Sequence, residues 1–222
     1  RDGGTIIVDA QDAQTTILLQ QCEEVIRQKQ LVIDRVMFAS EPSYALRVPG
    51  QMNQENAALA AHGAKAMGAT AAAIASGLGA FPGIWRRFEL IGEKEGVTVI
   101  SDYGHHPTAV SVTLDAAKAM YPGRRVVLCF QPHHRNRTKH LFLDFVPSFD
   151  QADELILVEI YDVIGRDQVE DDTISSQDLR DAIRHHDADR GVTRLVTFVK
   201  DGQDAKAVLL AAKRPGDVFI VM

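Results

Sequence analysis

The sequence predicts an α/β fold built on a parallel sheet covered on both faces, and three observations carry that prediction. Strand-like and helix-like segments alternate through most of the 222 residues. The strand-like runs are short, continuous and rich in Val, Ile and Leu, as strands buried on both faces are. Polar clusters fall just after strand runs, where a parallel sheet places its ligands.

TIIVDA (5–10) is a buried strand run, and residues 12–28 follow with Ile17, Leu18, Cys22, Val25 and Ile26 at helical spacing. LVIDRVMFA and YALRVPG are expected as two further strands. The alanine-rich run from Gln54 to Met67 predicts a helix, and Thr70 to Leu78 a shorter one. GAFPG (79–83) is a turn cluster and the expected boundary between domains at 1–83 and 84–222. Beyond it, RRFELIGEKEGVTVISDY reads as a hairpin, two strands joined by Glu-Lys-Glu-Gly. The pattern then becomes regular. Helices are expected at 108–120, 138–150, 175–186 and 203–212, each followed by a strand, at 125–131, 154–160, 194–199 and 217–222. The acidic stretch DVIGRDQVEDDTI (162–174) is expected as a surface loop. The chain starts on one strand pattern without Met and stops on another, which predicts a portion of a longer protein.

Composition narrows the function classes. With 45% hydrophobic residues the chain can bury a core, and its formal net charge of -6 disfavours polyanionic partners such as nucleic acid. An anion site must therefore be built locally, from a few arginines or helix N-termini. The longest apolar run is far shorter than a membrane span, and RDGGTIIVDAQD lacks a signal-peptide layout, so a cytoplasmic location is expected. Cys22 and Cys129 lie in apolar runs and read as small hydrophobes in a reducing compartment, with no CxxC spacing for zinc.

SDYGHHPT and QPHHRNRT are the polar clusters at strand ends. Adjacent histidines in an extended loop point to opposite sides, so His105–His106 and His133–His134 suit substrate contacts or a helix cap better than a shared metal, and no metal site is expected. Pro107 suits the first turn of the next helix, where a missing N–H costs nothing. Asn53 and Asn56 sit one helical turn apart. Their amides can serve adenine, or Asn53 can simply cap the helix. Of Arg86 and Arg87, one faces in and one out, and the inward guanidinium can clamp phosphate or end as a solvated strand terminus.

At these residues the sequence resembles the Mur ligase family. VPGQMNQENAALAA is similar to the segment that ends the family's central ATPase domain, GIWRRFELIGEKEGVTVISDYGHHPT to its joint with the C-terminal domain, and FQPHHRNRT to the segment "QPH-R-x-x-R-T" of its alanine-adding branch. AMYPGRRVVLCF and DQADELILVEIYDV also fit the C-terminal domain, so the resemblance spans roughly residues 46–222, with GGTIIVDAQD matching an earlier strand. It implies a Rossmann-like C-terminal domain preceded by the terminal part of an α/β ATPase domain. The implied activity is ATP- and Mg²⁺-dependent ligation of L-alanine to UDP-N-acetylmuramate through an acyl phosphate.

By the same resemblance, Asn53 and Asn56 contact adenine, Arg87 lies near the ATP phosphates and Asp102 holds the ribose hydroxyls. Tyr103, His105 and His106 line the amino-acid and nucleotide cleft, and His134 and Arg137 fall in the amino-acid pocket, with Arg137 facing the carboxylate. Two departures stand out: Met52 replaces the family's His, and His134 replaces its Arg, with Arg135 next door. The chain contains no G-x-x-G-K-[ST] loop, so the phosphate cradle and the Mg²⁺ ligands are expected outside it. The rival readings are a peptide-recycling ligase of the same family and a non-catalytic nucleotide-binding module.

Overall fold

The computed structural model describes residues 4–9, 13–30, 32–38, 43–161 and 174–222. The chain divides into two compact units, Arg1–Pro82 and Gly83–Met222.

In the first unit β1 (Gly4–Asp9) and β2 (Ile33–Phe38) pair in parallel, from Gly4↔Ile33 to Asp9↔Phe38. The crossover between them is α1 (Ala13–Gln28), which buries Leu19 and Ile26. YALRVPG is not a strand. Among the described residues it pairs with no strand; the Gln54 amide accepts from Tyr44 N at 2.8 Å and donates to Tyr44 O at 3.0 Å. Gly50, at φ 98°, turns the chain into α2 (Gln51–Ala66), a conformation that favours glycine. Ala57, Ala58 and Ala61 form the buried face of α2. Thr70 caps α3 (Ala71–Ala80), its hydroxyl accepting from Ala73 N at 3.3 Å.

The second unit is a six-stranded sheet in the order β3-β4-β8-β5-β6-β7. Its strands are β3 (Glu89–Lys94), β4 (Val97–Ser101), β5 (Val126–Phe130), β6 (Glu154–Val158), β7 (Leu195–Val199) and β8 (Val218–Val221). The expected hairpin is β3–β4, and β3 is the single antiparallel strand; the other pairings are parallel. Every residue of VVLCF and ELILV is buried, because helices cover both faces. On one face α8 (Gly202–Ala212) sets Ala205, Val208 and Leu209 against Val127, Cys129, Ile156, Val158 and Phe219. Burial pushes the Cys129 thiol up to about 11, so it behaves as an inert core group. Cys22, by contrast, is half-buried. On the opposite face lie α4 (Pro107–Met120), α6 (Phe142–Ser148) and α7 (Ser176–Asp189), with Phe145 and Phe149 against Phe130.

The single helix expected over 138–150 is instead α5 (Arg135–His140) followed by α6. Leu141, at φ −104° and ψ 15°, opens the turn between them, which brings Phe145 and Phe149 onto the sheet. Helical spacing of apolar residues does not register a one-residue break of this kind. The acidic stretch expected as a loop lies outside the described residues except for Ile174.

Arg125 ties the amino ends of three strands together. It grips Asp217 bidentately at 2.9 and 2.7 Å, bonds Glu154 at 2.7 Å, and donates to Ala212 O at 2.7 Å. Burial pushes the Asp217 carboxyl up, but the Arg125 hydrogen bond, the Arg214 amide and the charges of both arginines outweigh it, and the net shift is downward. A depressed folded value means this stabilisation is present above the ordinary carboxylate range and is lost as pH falls through the folded value. Asp217→Asn should therefore cost on the order of 3 kcal/mol in urea unfolding at pH 7 and flatten the acid limb of stability against pH. A wild-type midpoint for this variant would show that the network contributes little.

Candidate functional site

The carboxyl edge of the second sheet is organised by Asp102, the residue after β4. Its side chain is 5% exposed, and both oxygens accept backbone N–H groups, Phe88 on Oδ2 at 2.8 Å and Gly104 on Oδ1 at 2.6 Å. Tyr103 N donates to Arg86 O at 2.7 Å, so residues 86–88 are strapped to the strand end. Arg86 (φ 56°) and Phe88 (φ 47°) are both left-handed without being glycine, a cost on the order of 1–3 kcal/mol each. Arg86 N is further fixed by Glu89 Oε2 at 2.9 Å, and Phe88 is buried.

The strap carries a cluster of rings and cations around Tyr103. The Arg86 guanidinium lies 4.8 Å from the Tyr103 ring centroid and 5.7 Å from that of Trp85; Arg87, more exposed, lies 5.9 Å from Tyr103. His105 and His133 approach the same ring edge-on, at 5.1 and 6.1 Å, and His133 meets Tyr161 at 5.4 Å. His105 Nδ1 pairs with Tyr103 O at 2.9 Å. His106 turns away from the cluster: it is the N-cap of α4, its Nδ1 accepting from Thr108 N at 3.4 Å, with Pro107 in the first turn. The helix-cap reading thus holds for His106, because the helix start needs an acceptor there.

The loop after β5 completes the edge. His133 forms a parallel bridge with Tyr161, and His134 N donates to Tyr161 O at 2.9 Å. His134 is itself left-handed (φ 68°) as it turns into α5. Arg135 donates to Ile174 O, which draws it toward α7. Arg137 is half-buried, and its guanidinium has no hydrogen bond or ion pair among the described residues. His133 is held below its ordinary value, first by burial and then by the charges of His105, His134, Arg137 and Arg86, so at neutral pH it is an uncharged imidazole amid cations.

In the first unit Asn53 is half-buried in the first turn of α2, and its amide donates to Pro49 O at 2.5 Å. The helix begins at Gly50, so Asn53 is not its N-cap. Asn56 is exposed one turn on, and Met52 is half-buried. Asp102, Tyr103, His105, His134, Arg137 and Arg87 thus share one edge of the second unit, while Asn53 and Asn56 share a helix of the first. Arg86 and His133 belong to the clusters that the sequence points to, although the resemblance gives neither a role; Tyr161 is the addition, and its signal is its position just beyond β6, a third strand end beside those of β4 and β5. Among the described residues no three or more His, Cys, Asp or Glu converge to hold a metal ion, and no helix among them is long and apolar enough to cross a membrane.

The family profile "Mur ligase, glutamate ligase domain" matches residues 86–222. UDP-N-acetylmuramate–L-alanine ligase of Solidesulfovibrio magneticus is 41% identical over 178 residues, which is 80% of this chain and 37% of that protein. The protein of the same name from Clostridium perfringens is 46% identical over 180 residues, 81% of this chain and 37% of that one. This chain thus spans well under half the length of these relatives. Among solved structures, UDP-N-acetylmuramate-alanine ligase of Thermotoga maritima superposes with a TM-score of 0.62 at 24% identity, over 79% of this chain and 35% of that one, which establishes a shared fold.

The His133 environment gives a direct test. Its imidazole should titrate below about 6.5 by NMR, and Arg137→Gln should raise that value. Because the folded value is depressed, stability should fall as pH drops from the ordinary histidine value toward the folded one, and His133→Gln should remove that slope. An ordinary histidine titration, unmoved by Arg137→Gln, would contradict the cation cluster.

Proposed function

The chain belongs to the Mur ligase family, and we propose that it is the C-terminal portion of a UDP-N-acetylmuramate–L-alanine ligase of peptidoglycan precursor synthesis. The observation that carries this is local. On a chain of net charge -6, two guanidinium groups with no anionic partner among the described residues lie at a sheet's carboxyl edge: Arg86 on the Tyr103 ring, and Arg137 in α5, where its charge is felt by His133. Such an edge suits a small substrate bearing a carboxylate. The relatives at 41% and 46% identity supply L-alanine as that substrate.

In this reading ATP activates the muramate carboxyl as an acyl phosphate, and the alanine amine then displaces phosphate. Catalysis of that kind is largely positioning and charge neutralisation. Arg137 holds the alanine carboxylate. The uncharged His133 beside it accepts a hydrogen bond from the amine and leaves the anion to the guanidinium groups. Tyr103 and His105 form the apolar-to-polar wall of the pocket. Asn53 and Asn56 serve adenine; Asn53 retains its carbonyl for this, since only its NH₂ is used by Pro49. Arg87 serves the phosphates.

Asp102 serves the ribose diol only with the lone pairs left after Phe88 and Gly104 are satisfied. Among the described residues no three or more His, Cys, Asp or Glu come together to hold Mg²⁺. The protein acts in the cytoplasm, where ATP is available.

Arg137→Ala in the full-length protein should raise the KM for L-alanine roughly tenfold to a hundredfold, the worth of a hydrogen bond to a charged group. The KM for ATP and the melting temperature should stay nearly unchanged, because the Arg137 guanidinium has no hydrogen bond or ion pair among the described residues. Asp102→Asn should behave differently, lowering the melting temperature as well as ATP affinity, since one of its two amide contacts is lost. Equal rises in both KM values for Arg137→Ala would remove it from the amino-acid pocket.

A further inference from the structure

We propose that Arg86 is a second anchor for the carboxylate of the incoming amino acid, working with Arg137 across the Tyr103–His133 pair. This rests on the ligase reading above. Arg86 is not one of the residues that the sequence resemblance assigns; that assignment falls on its neighbour Arg87.

The backbone of Arg86 is fixed on both sides, its N–H on Glu89 Oε2 at 2.9 Å and its carbonyl under Tyr103 N at 2.7 Å. The neighbouring Phe88 amide is held by Asp102 at 2.8 Å. Its φ is left-handed, at 56°, and its guanidinium lies over the Trp85 and Tyr103 rings, 5.7 and 4.8 Å from their centroids. Ring faces hold a guanidinium by its flat side and leave its edge, with five N–H donors, for a ligand. None of those donors has a hydrogen-bond partner among the described residues.

An arginine that serves only as a surface group would not be expected to sit on a backbone pinned at three points. The ring contacts of its guanidinium limit the side-chain freedom that binding would otherwise remove. The fork fits a carboxylate or a phosphate; the carboxylate is assigned because Arg86 rests on the Tyr103 ring that His133 of the proposed amino-acid pocket also meets. His134 stands where the family has an arginine, and Arg135 is drawn to Ile174 O, so neither supplies the second guanidinium of the pocket.

The test uses the full-length protein. Arg86→Gln should raise the dissociation constant and KM for L-alanine roughly tenfold to a hundredfold, with the KM for ATP within about twofold and the melting temperature preserved. Arg86→Lys should recover part of the affinity. Alaninol, which lacks the carboxylate, should bind weakly and equally to wild type and Arg86→Gln. Unchanged L-alanine affinity in Arg86→Gln would overturn the proposal, as would a parallel loss for alaninol. A loss specific to inorganic phosphate or ATP would place Arg86 on the nucleotide side and overturn it too. Wild type that neither binds nor ligates L-alanine would instead remove the ligase reading on which the proposal stands, a different pattern from failure at Arg86 alone.

Discussion

Two backbone amides, those of Phe88 and Gly104, end on the two oxygens of Asp102, and the carboxyl edge of the second unit is arranged around that pair of bonds. Hydrogen bonds to a buried charge are worth roughly 1.5–3 kcal/mol each. The left-handed conformations of Arg86 and Phe88 cost on the order of 1–3 kcal/mol each. The bonds of Tyr103 N to Arg86 O and of Arg86 N to Glu89 Oε2, with burial of the Phe88 ring, add to the Asp102 pair in holding the strap against that cost. A ligand that draws on Asp102 therefore acts on the strap as well. In the proposed reading, nucleotide recognition and the placement of Arg86 and Tyr103 are coupled through one carboxylate.

The two edges of the sheet divide the work. At the amino edge Arg125 answers Asp217 and Glu154, and Arg124 binds Gly216 O at 2.6 Å and Thr98 Oγ1 at 2.9 Å. Charges there are matched within the protein, and the result is cohesion between β4, β5, β6 and β8. At the carboxyl edge the guanidinium groups of Arg86 and Arg137 are left unmatched among the described residues, and ring contacts rather than carboxylates hold Arg86 in place. An arginine paired to a carboxylate would have its fork occupied. One resting on aromatic faces keeps it open.

Much of this was legible in the sequence, and what was not has physical reasons. Runs such as VVLCF and ELILV identify buried parallel strands because nothing in them needs water. The strand-end clusters locate the site because that is where a parallel sheet opens. YALRVPG misled, since its apolar spacing fits a strand but its partner is the Gln54 side chain, a contact ten residues away that no local pattern records. His106 and His105 are indistinguishable by type, and only the start of α4 separates a cap from a pocket residue. Arg86 and Arg87 are likewise alike in sequence. Strand alternation suggests that one faces in, but the left-handed turn at Arg86 breaks that alternation, and a conformation of this sort in a non-glycine residue leaves no mark in the sequence.

The His134 departure illustrates how far side-chain chemistry depends on this backbone. Arg135 is the obvious replacement for a missing arginine one position earlier, and a one-residue shift of the loop would suffice. The structure closes that route from both ends. His134 N is bonded to Tyr161 O at 2.9 Å and its carbonyl accepts from Thr138 Oγ1 at 3.1 Å, so the register of the turn is fixed before α5 begins. Arg135 is then carried toward Ile174, and Arg137, two residues on, keeps its guanidinium uncommitted among the described residues. In the proposed reading, a second cation for the same anion comes from another strand end. The strap of residues 86–88, pinned by Asp102, places Arg86 on the Tyr103 ring that His133 also meets.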